Sequence, residues 1–229
     1  MKKFALALIL TFSSHSFAAD KLGQSGFNLG VNAGVNFGKS TLDLTDWEGD
    51  SAEKFKKNET AGLIGLQAGY KHFLDNGIML GFEGDYQRSN YDVSLNDTPY
   101  SDAAIGQKIN DIFTLRAKLG KMVNENTLAY VTGGYAYTLG DVKLRDGSYH
   151  IDGDTDKDVG SHGWVAGFGL EHSITDNVSL KGEYLYLRTH GNGHTSTNND
   201  NSNPGEYEEY SAKTTFRSNI LRVGVNYNF

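Results

Sequence analysis

Clustered carboxylates, imidazoles and hydroxyls are what catalysis and metal binding require. Asp152-Gly153-Asp154-Thr155-Asp156-Lys157-Asp158 places carboxylates at alternate positions, and clustered oxygens suit calcium. The register of a calcium loop fails, however. Counted from Asp152, Lys157 stands where the sharp turn needs Gly, and Gly163 where the bidentate Glu belongs. His150, His162, His190 and His194 offer imidazoles for haem or a transition metal, but their spacings match no ligand motif. His172 and Ser173 are adjacent, and neighbours on a strand point to opposite faces, so they make no nucleophile–base pair. Gly167-Phe168-Gly169 lacks the third Gly and the following helix of a dinucleotide site. The expectation is no enzyme, no cofactor and no metal.

A different set of ionisable residues is more telling. Glu83, Asp85, Arg116, Lys118, Glu171, Lys181, Glu183 and Arg222 each share the polar face of a segment whose other face is apolar. These four acids and four bases are expected to form an internal charge network in the lumen of a barrel. Paired charges satisfy one another there, whereas unpaired ones are costly. The rival reading of the same residues is a charge-lined conduction path, but an eight-stranded barrel is only wide enough for side chains to fill.

The elements that must position these charges alternate with period two. In Phe27 to Phe37, apolar Phe27, Leu29, Val31, Ala33, Val35 and Phe37 interleave with Asn28, Gly30, Asn32, Gly34 and Asn36. Similar segments run from about Ala61 to Phe73, Ile78 to Ser89, Ile109 to Val123, Leu128 to Leu139, Gly163 to His172, Val178 to Arg188 and Phe216 to Phe229. The fifth is ambiguous, because either Ala129, Val131 and Tyr135 or Leu128, Tyr130 and Ala136 can meet lipid. Between segments, the connections Leu74–Gly77, Asn124–Thr127 and Ser173–Asn177 are short and rich in Asn, Asp and Gly, which tolerate tight turns. Those at about Gly38–Thr60, Asn90–Lys108, Gly140–His162 and Thr189–Thr215 are long, polar and net acidic. Strict alternation of long and short is the asymmetry of a membrane barrel with short periplasmic turns and long external loops. A soluble barrel has no reason to sort its loops so. The acidic loops fit solvation, with cation bridging to lipopolysaccharide or binding of a surface partner as sharper alternatives.

Composition agrees. The chain has 28 Gly, 13 Tyr, 12 Phe and 2 Trp but only 2 Pro and no Cys, which excludes disulfides and thiolate metal sites. Net charge is −7, so a basic nucleic-acid footprint is absent. No segment reaches the ~18 consecutive apolar residues of a spanning helix. Met1-Lys2-Lys3, an apolar run from Phe4 to Phe12 and Ser16-Phe17-Ala18 read as an export signal. Cleavage is expected after Ala18, with Ala19 as the alternative, leaving residues 19–229 as one barrel. The expected fold is all-β, an eight-stranded antiparallel up-and-down transmembrane barrel of the Gram-negative outer membrane. Tyr227 and Phe229 end the last alternating strand, and a terminal Phe there resembles the signal by which the barrel-assembly machinery recognises its clients.

Tyr130-Val131-Thr132-Gly133-Gly134-Tyr135-Ala136-Tyr137 resembles a segment of the porin-like outer-membrane β-barrel family of alphaproteobacteria, the opacity-type eight-stranded barrels. So do Gly163–Glu171, Asn177–Tyr186 and the terminal Arg222–Phe229. The resemblance covers nearly all of the chain after the signal. It implies a surface-exposed barrel that contributes to envelope integrity, in contact with outer-membrane lipid and lipopolysaccharide. Some members of the family are credited with pore formation, adhesion or haem binding. A narrow porin and a loop-borne adhesin or host-ligand binder therefore stand as the alternatives.

Overall fold

The computed structural model describes residues 22–45, 51–95, 104–145, 157–198 and 207–229, with side chains for 22–41, 56–92, 108–141, 160–191 and 215–229. Residues 1–21, including the expected export signal, lie outside the described residues, as do His150 and Asp152–Asp156.

Eight antiparallel strands close into one barrel, each paired with its sequence neighbours and the last with the first. They are β1 (Gly26–Thr45), β2 (Ser51–Phe73), β3 (Ile78–Leu95), β4 (Ala104–Asn124), β5 (Thr127–Arg145), β6 (Lys157–Ser173), β7 (Val178–Asn198) and β8 (Tyr207–Asn228). Followed round the barrel, the ladder from Val35 runs through Leu221, Tyr184, Phe168, Val131, Leu119 and Leu80 to His72. Val35 itself pairs Gly62. The register therefore advances ten residues per circuit, from Gly62 to His72. With strands ~4.8 Å apart and ~3.3 Å per residue, that stagger tilts them by about 40° and gives a radius of about 8 Å.

The strands extend well beyond the expected segments on the long-loop side. Residues 38–45, 51–60 and 207–215, read above as loop, are laddered. Alternation marks only the part of a strand that meets lipid. Beyond it, pairing continues without the pattern. At the other end the turns are tight. Gly77 takes φ of 77°, a left-handed conformation that suits glycine, and donates its N–H to Leu74 O at 2.9 Å.

The apolar face of every strand points outward. Phe27, Val31, Ile64, Leu66, Phe82, Leu115, Leu119, Phe168, Leu170 and Val223 are exposed, which would be anomalous in water and is required in lipid. The fifth strand resolves in favour of Val131 and Tyr135 outward, with Leu128, Tyr130 and Ala136 buried. Two aromatic girdles bound the apolar band. On the turn side, Phe27 meets Tyr70 at 4.8 Å between ring centroids and Tyr227 meets Phe229 at 5.0 Å. On the loop side, Tyr86–Phe113 at 4.9 Å, Tyr137–His162 at 4.8 Å and Trp164–Tyr186 at 5.4 Å run round the wall. Amphipathic rings of this kind sit at headgroup level.

Candidate functional site in the lumen

The inward face of the barrel holds the eight charged residues singled out by the sequence, all buried. Arg116 is the hub. It pairs directly across the ladder with Glu83, and its Nη2 lies 2.5 Å from Glu83 Oε1 and 2.8 Å from Asp85 Oδ2. Its Nη1 reaches across the lumen to Glu183 Oε1 at 3.2 Å. Lys118 Nζ approaches Glu83 Oε2 at 2.5 Å. Lys181 Nζ spans from β7 to Glu83 Oε1 at 2.9 Å and to Glu183 Oε2 at 3.3 Å. Arg222 places Nη1 2.9 Å from Asp85 Oδ1 and Nη2 2.6 Å from Glu183 Oε2. Each carboxylate is thus shared among cations from both sides of the barrel. That sharing lets buried charge offset its desolvation.

Glu171 stands lower, and its partner was not anticipated. Lys71 of β2 is buried and donates to Glu171 Oε1 at 3.0 Å and to Asn228 Oδ1 at 2.8 Å. The buried set is therefore four acids against five bases. The signal was available, since Lys71 follows outward Tyr70 and shares the inward parity of Leu63 and Gln67. The surplus cation is softened by a ring: Lys118 Nζ lies 4.5 Å from the Tyr130 centroid. Tyr130 in turn donates to Glu183 Oε1 at 2.8 Å. Neutral groups complete the network. Thr114 donates to Asp85 at 2.6 Å, Lys181 to Gln67 at 2.9 Å and Gln67 to Asn226 at 2.6 Å.

Apolar side chains occupy the lumen above and below these charges. Toward the turns, Leu22, Met79, Leu128 and Tyr130 cluster, with Phe73 and Met122 packed against them. Toward the loops, Leu63, Tyr91, Ile109, Ile112, Val165, Leu187, Phe216 and Ile220 form a second cluster. Tyr91 and Phe216 meet edge to face at 5.1 Å, and Tyr91 bonds Ser40 at 3.1 Å. Gly38 makes room for this layer, because a Cβ there would fall on the Tyr91 ring. Strict alternation could not find the layer. Ile109 and Ile112 are three apart yet both buried, since the β4–β5 register shifts between Ile109 and Asp111. Such a bulge re-aims a side chain.

The other candidates are not brought together as a site. His172 bonds Thr127 Oγ1 at 2.9 Å while Ser173 donates to the Thr175 carbonyl at 2.7 Å. His162 and His190 face each other across the β6–β7 ladder on the outer wall, and His162 meets the Tyr135 hydroxyl. Gly167-Phe168-Gly169 is mid-strand. Among the described residues there is no group of three or more His, Cys, Asp or Glu placed to hold a metal. Tyr227 and Phe229 lie at the seam, where Phe229 N donates to Phe27 O at 2.9 Å.

A closed barrel with an apolar exterior has known counterparts. A family model, the outer membrane protein beta-barrel domain, matches residues 4–229. The chain belongs to this family. A 31 kDa outer-membrane immunogenic protein of Brucella melitensis biotype 1 is 33% identical over 220 residues, covering 92% of this chain and 85% of that protein. A 25 kDa outer-membrane immunogenic protein of Brucella canis is 29% identical over 241 residues, covering 97% of this chain and 95% of its own. These relatives place the chain among the outer-membrane β-barrels of alphaproteobacteria. Among solved structures, the outer membrane protein OprG from Pseudomonas aeruginosa superposes with a TM-score of 0.54 at 13% identity, covering 92% of this chain and 99% of that one. The outer membrane protease OmpT from Escherichia coli gives 0.52 at 15% identity, covering 95% and 99%. At such identities the likeness is one of fold alone. The protein is an outer-membrane β-barrel of the Gram-negative envelope.

Proposed function

We propose that the protein is a structural, surface-exposed barrel that reinforces the outer membrane and does not conduct. The observation that carries this reading is the filling of the lumen by ion pairs between two apolar layers. A radius of about 8 Å leaves side chains, not water, as the content of an eight-stranded barrel. A charge-lined pore needs carboxylates and cations that face water, whereas Glu83, Arg116 and Glu183 face one another. A non-enzymatic role goes with it, because His172 and Ser173 engage different partners. On the same reading residues 1–18 are removed on export and 19–229 form the barrel. The barrel-assembly machinery inserts it with Tyr227 and Phe229 at the closing seam, and the long hairpins face outward. The immunogenic relatives in Brucella fit an exposed display of that kind.

The test is planar-bilayer recording of the refolded full-length protein. Silence is expected across ±100 mV or so, a range over which one charge gains about 2.3 kcal/mol. A steady wild-type conductance overturns the structural reading in favour of the narrow porin.

A further inference from the structure

The outer wall carries a second, unpaired set of charges. Lys39 of β1 lies directly opposite Arg217 of β8, and Arg217 lies directly opposite Arg188 of β7. All three share the outward parity. Lys39 and Arg217 are exposed and Arg188 is half-buried. Directly opposed residues on one face stand roughly 5 Å apart at Cβ, and like charges there repel. Among the described residues, none of the three meets a carboxylate, and the buried Arg188 Nε has no hydrogen-bond partner. Elsewhere on the wall an outward Arg is treated differently: Arg88 pairs with Asp111 at 3.0 Å.

The position of the triad is specific. Arg188 is registered with Trp164, which meets Tyr186 in the loop-side girdle. Exposed Phe37, two residues below Lys39, and exposed Leu221 belong to the apolar band. The cations therefore stand just above lipid-contacting surface, at the level of the outer-leaflet headgroups. Guanidinium forks match phosphate oxygens bidentately, and a phosphate between two Arg and one Lys converts mutual repulsion into charge-assisted bonds. Acyl chains of the same molecule would lie along Phe37, Leu221 and Tyr186.

We infer that Lys39, Arg217 and Arg188 form a binding site on the outer wall for a phosphorylated headgroup of the outer-leaflet lipid. The site does not depend on whether the lumen conducts. It rests on the outer-membrane embedding and on the outward-facing long hairpins of the proposed reading.

The test uses full-length protein refolded in non-ionic detergent and titrated with bisphosphorylated lipid A, its dephosphorylated form or inorganic phosphate. Retained lipid is read by native mass spectrometry and folding by the heat-modifiable gel shift. Wild type is expected to retain phosphorylated lipid A and to gain thermal stability from it. Arg188→Gln with Arg217→Gln should weaken retention by about tenfold or more, the effect of losing charge-assisted contacts. Arg217→Lys should keep much of it, and Lys56→Gln, farther from the membrane on β2, should leave it unchanged. Without lipid, Arg217→Gln should melt no lower than wild type, because it removes a repulsion. Equal retention of dephosphorylated lipid overturns the site. So does retention by the folded double variant equal to wild type, or a lower melting point of Arg217→Gln in lipid-free detergent. Saturation by inorganic phosphate at the same concentration as lipid A overturns the lipid assignment.

Discussion

Arg116 makes close ion pairs with three carboxylates, and its side chain is fully buried. Arg116→Ala removes a close cation partner from Glu83, Asp85 and Glu183 at once and leaves them only Lys118, Lys181 and Arg222, so a loss of about 3–5 kcal/mol is expected, as for breaking a buried pair. Urea unfolding in micelles, followed by tryptophan fluorescence, measures it. Arg88 offers the contrast. Its side chain is 62% exposed in its pair with Asp111, and Arg88→Ala should cost below about 1 kcal/mol. Equal losses at the two positions would sink the view that burial sets the scale. Sequence parity located the eight charges because each follows an outward apolar residue. The same parity marks Lys71, which follows outward Tyr70; what the sequence does not show is that its partner Glu171 comes from β6 across the lumen. Partnership across a lumen leaves no spacing in the chain to read.

At the scale of the elements, lipid-facing alternation was legible wherever small or polar residues separate large apolar ones, as in β1. It failed in β5, where Leu128 and Tyr130 fill the turn-side layer while Val131 and Tyr135 face lipid. Both faces are apolar because both are dry. The bulge near Asn110 was illegible for another reason: its evidence is a register, which only the paired strands define. Topology remains open to direct test. Protease added to intact cells should cut within 46–50, 96–103, 146–156 or 199–206 and spare Leu74–Gly77, Asn124–Thr127 and Ser173–Asn177. External cleavage at Asn124–Thr127 would invert the assignment of sides. The β1–β8 seam makes a second prediction. Phe229 bonds Phe27 and meets Tyr227 edge to face, so Phe229→Asp should reduce the folded, heat-modifiable fraction in the outer membrane. An unchanged fraction counts against a role for this residue in closure or assembly.

Taken whole, the molecule has two kinds of barrier in series: a polar layer and the apolar layers flanking it. Removing Arg116 alone leaves Leu187, Phe216 and their neighbours in place. Conductance should therefore stay near wild type in Arg116→Ala and appear only when Leu187→Ser and Phe216→Ser are added. A large current from Arg116→Ala by itself would make the charges the sole gate. The laddered ribbons above the girdle carry a further consequence. From Phe37 to Thr45, β1 climbs eight residues beyond the lipid-facing band, about 20 Å along the membrane normal at this tilt. A free two-stranded ribbon is marginal in water, but these are rooted in a closed wall and inherit its stiffness. The laddered residues up to Thr45 are thus held at that height above the girdle. Antibodies raised against folded cells should recognise shape rather than linear peptide, and lose binding when the barrel is melted.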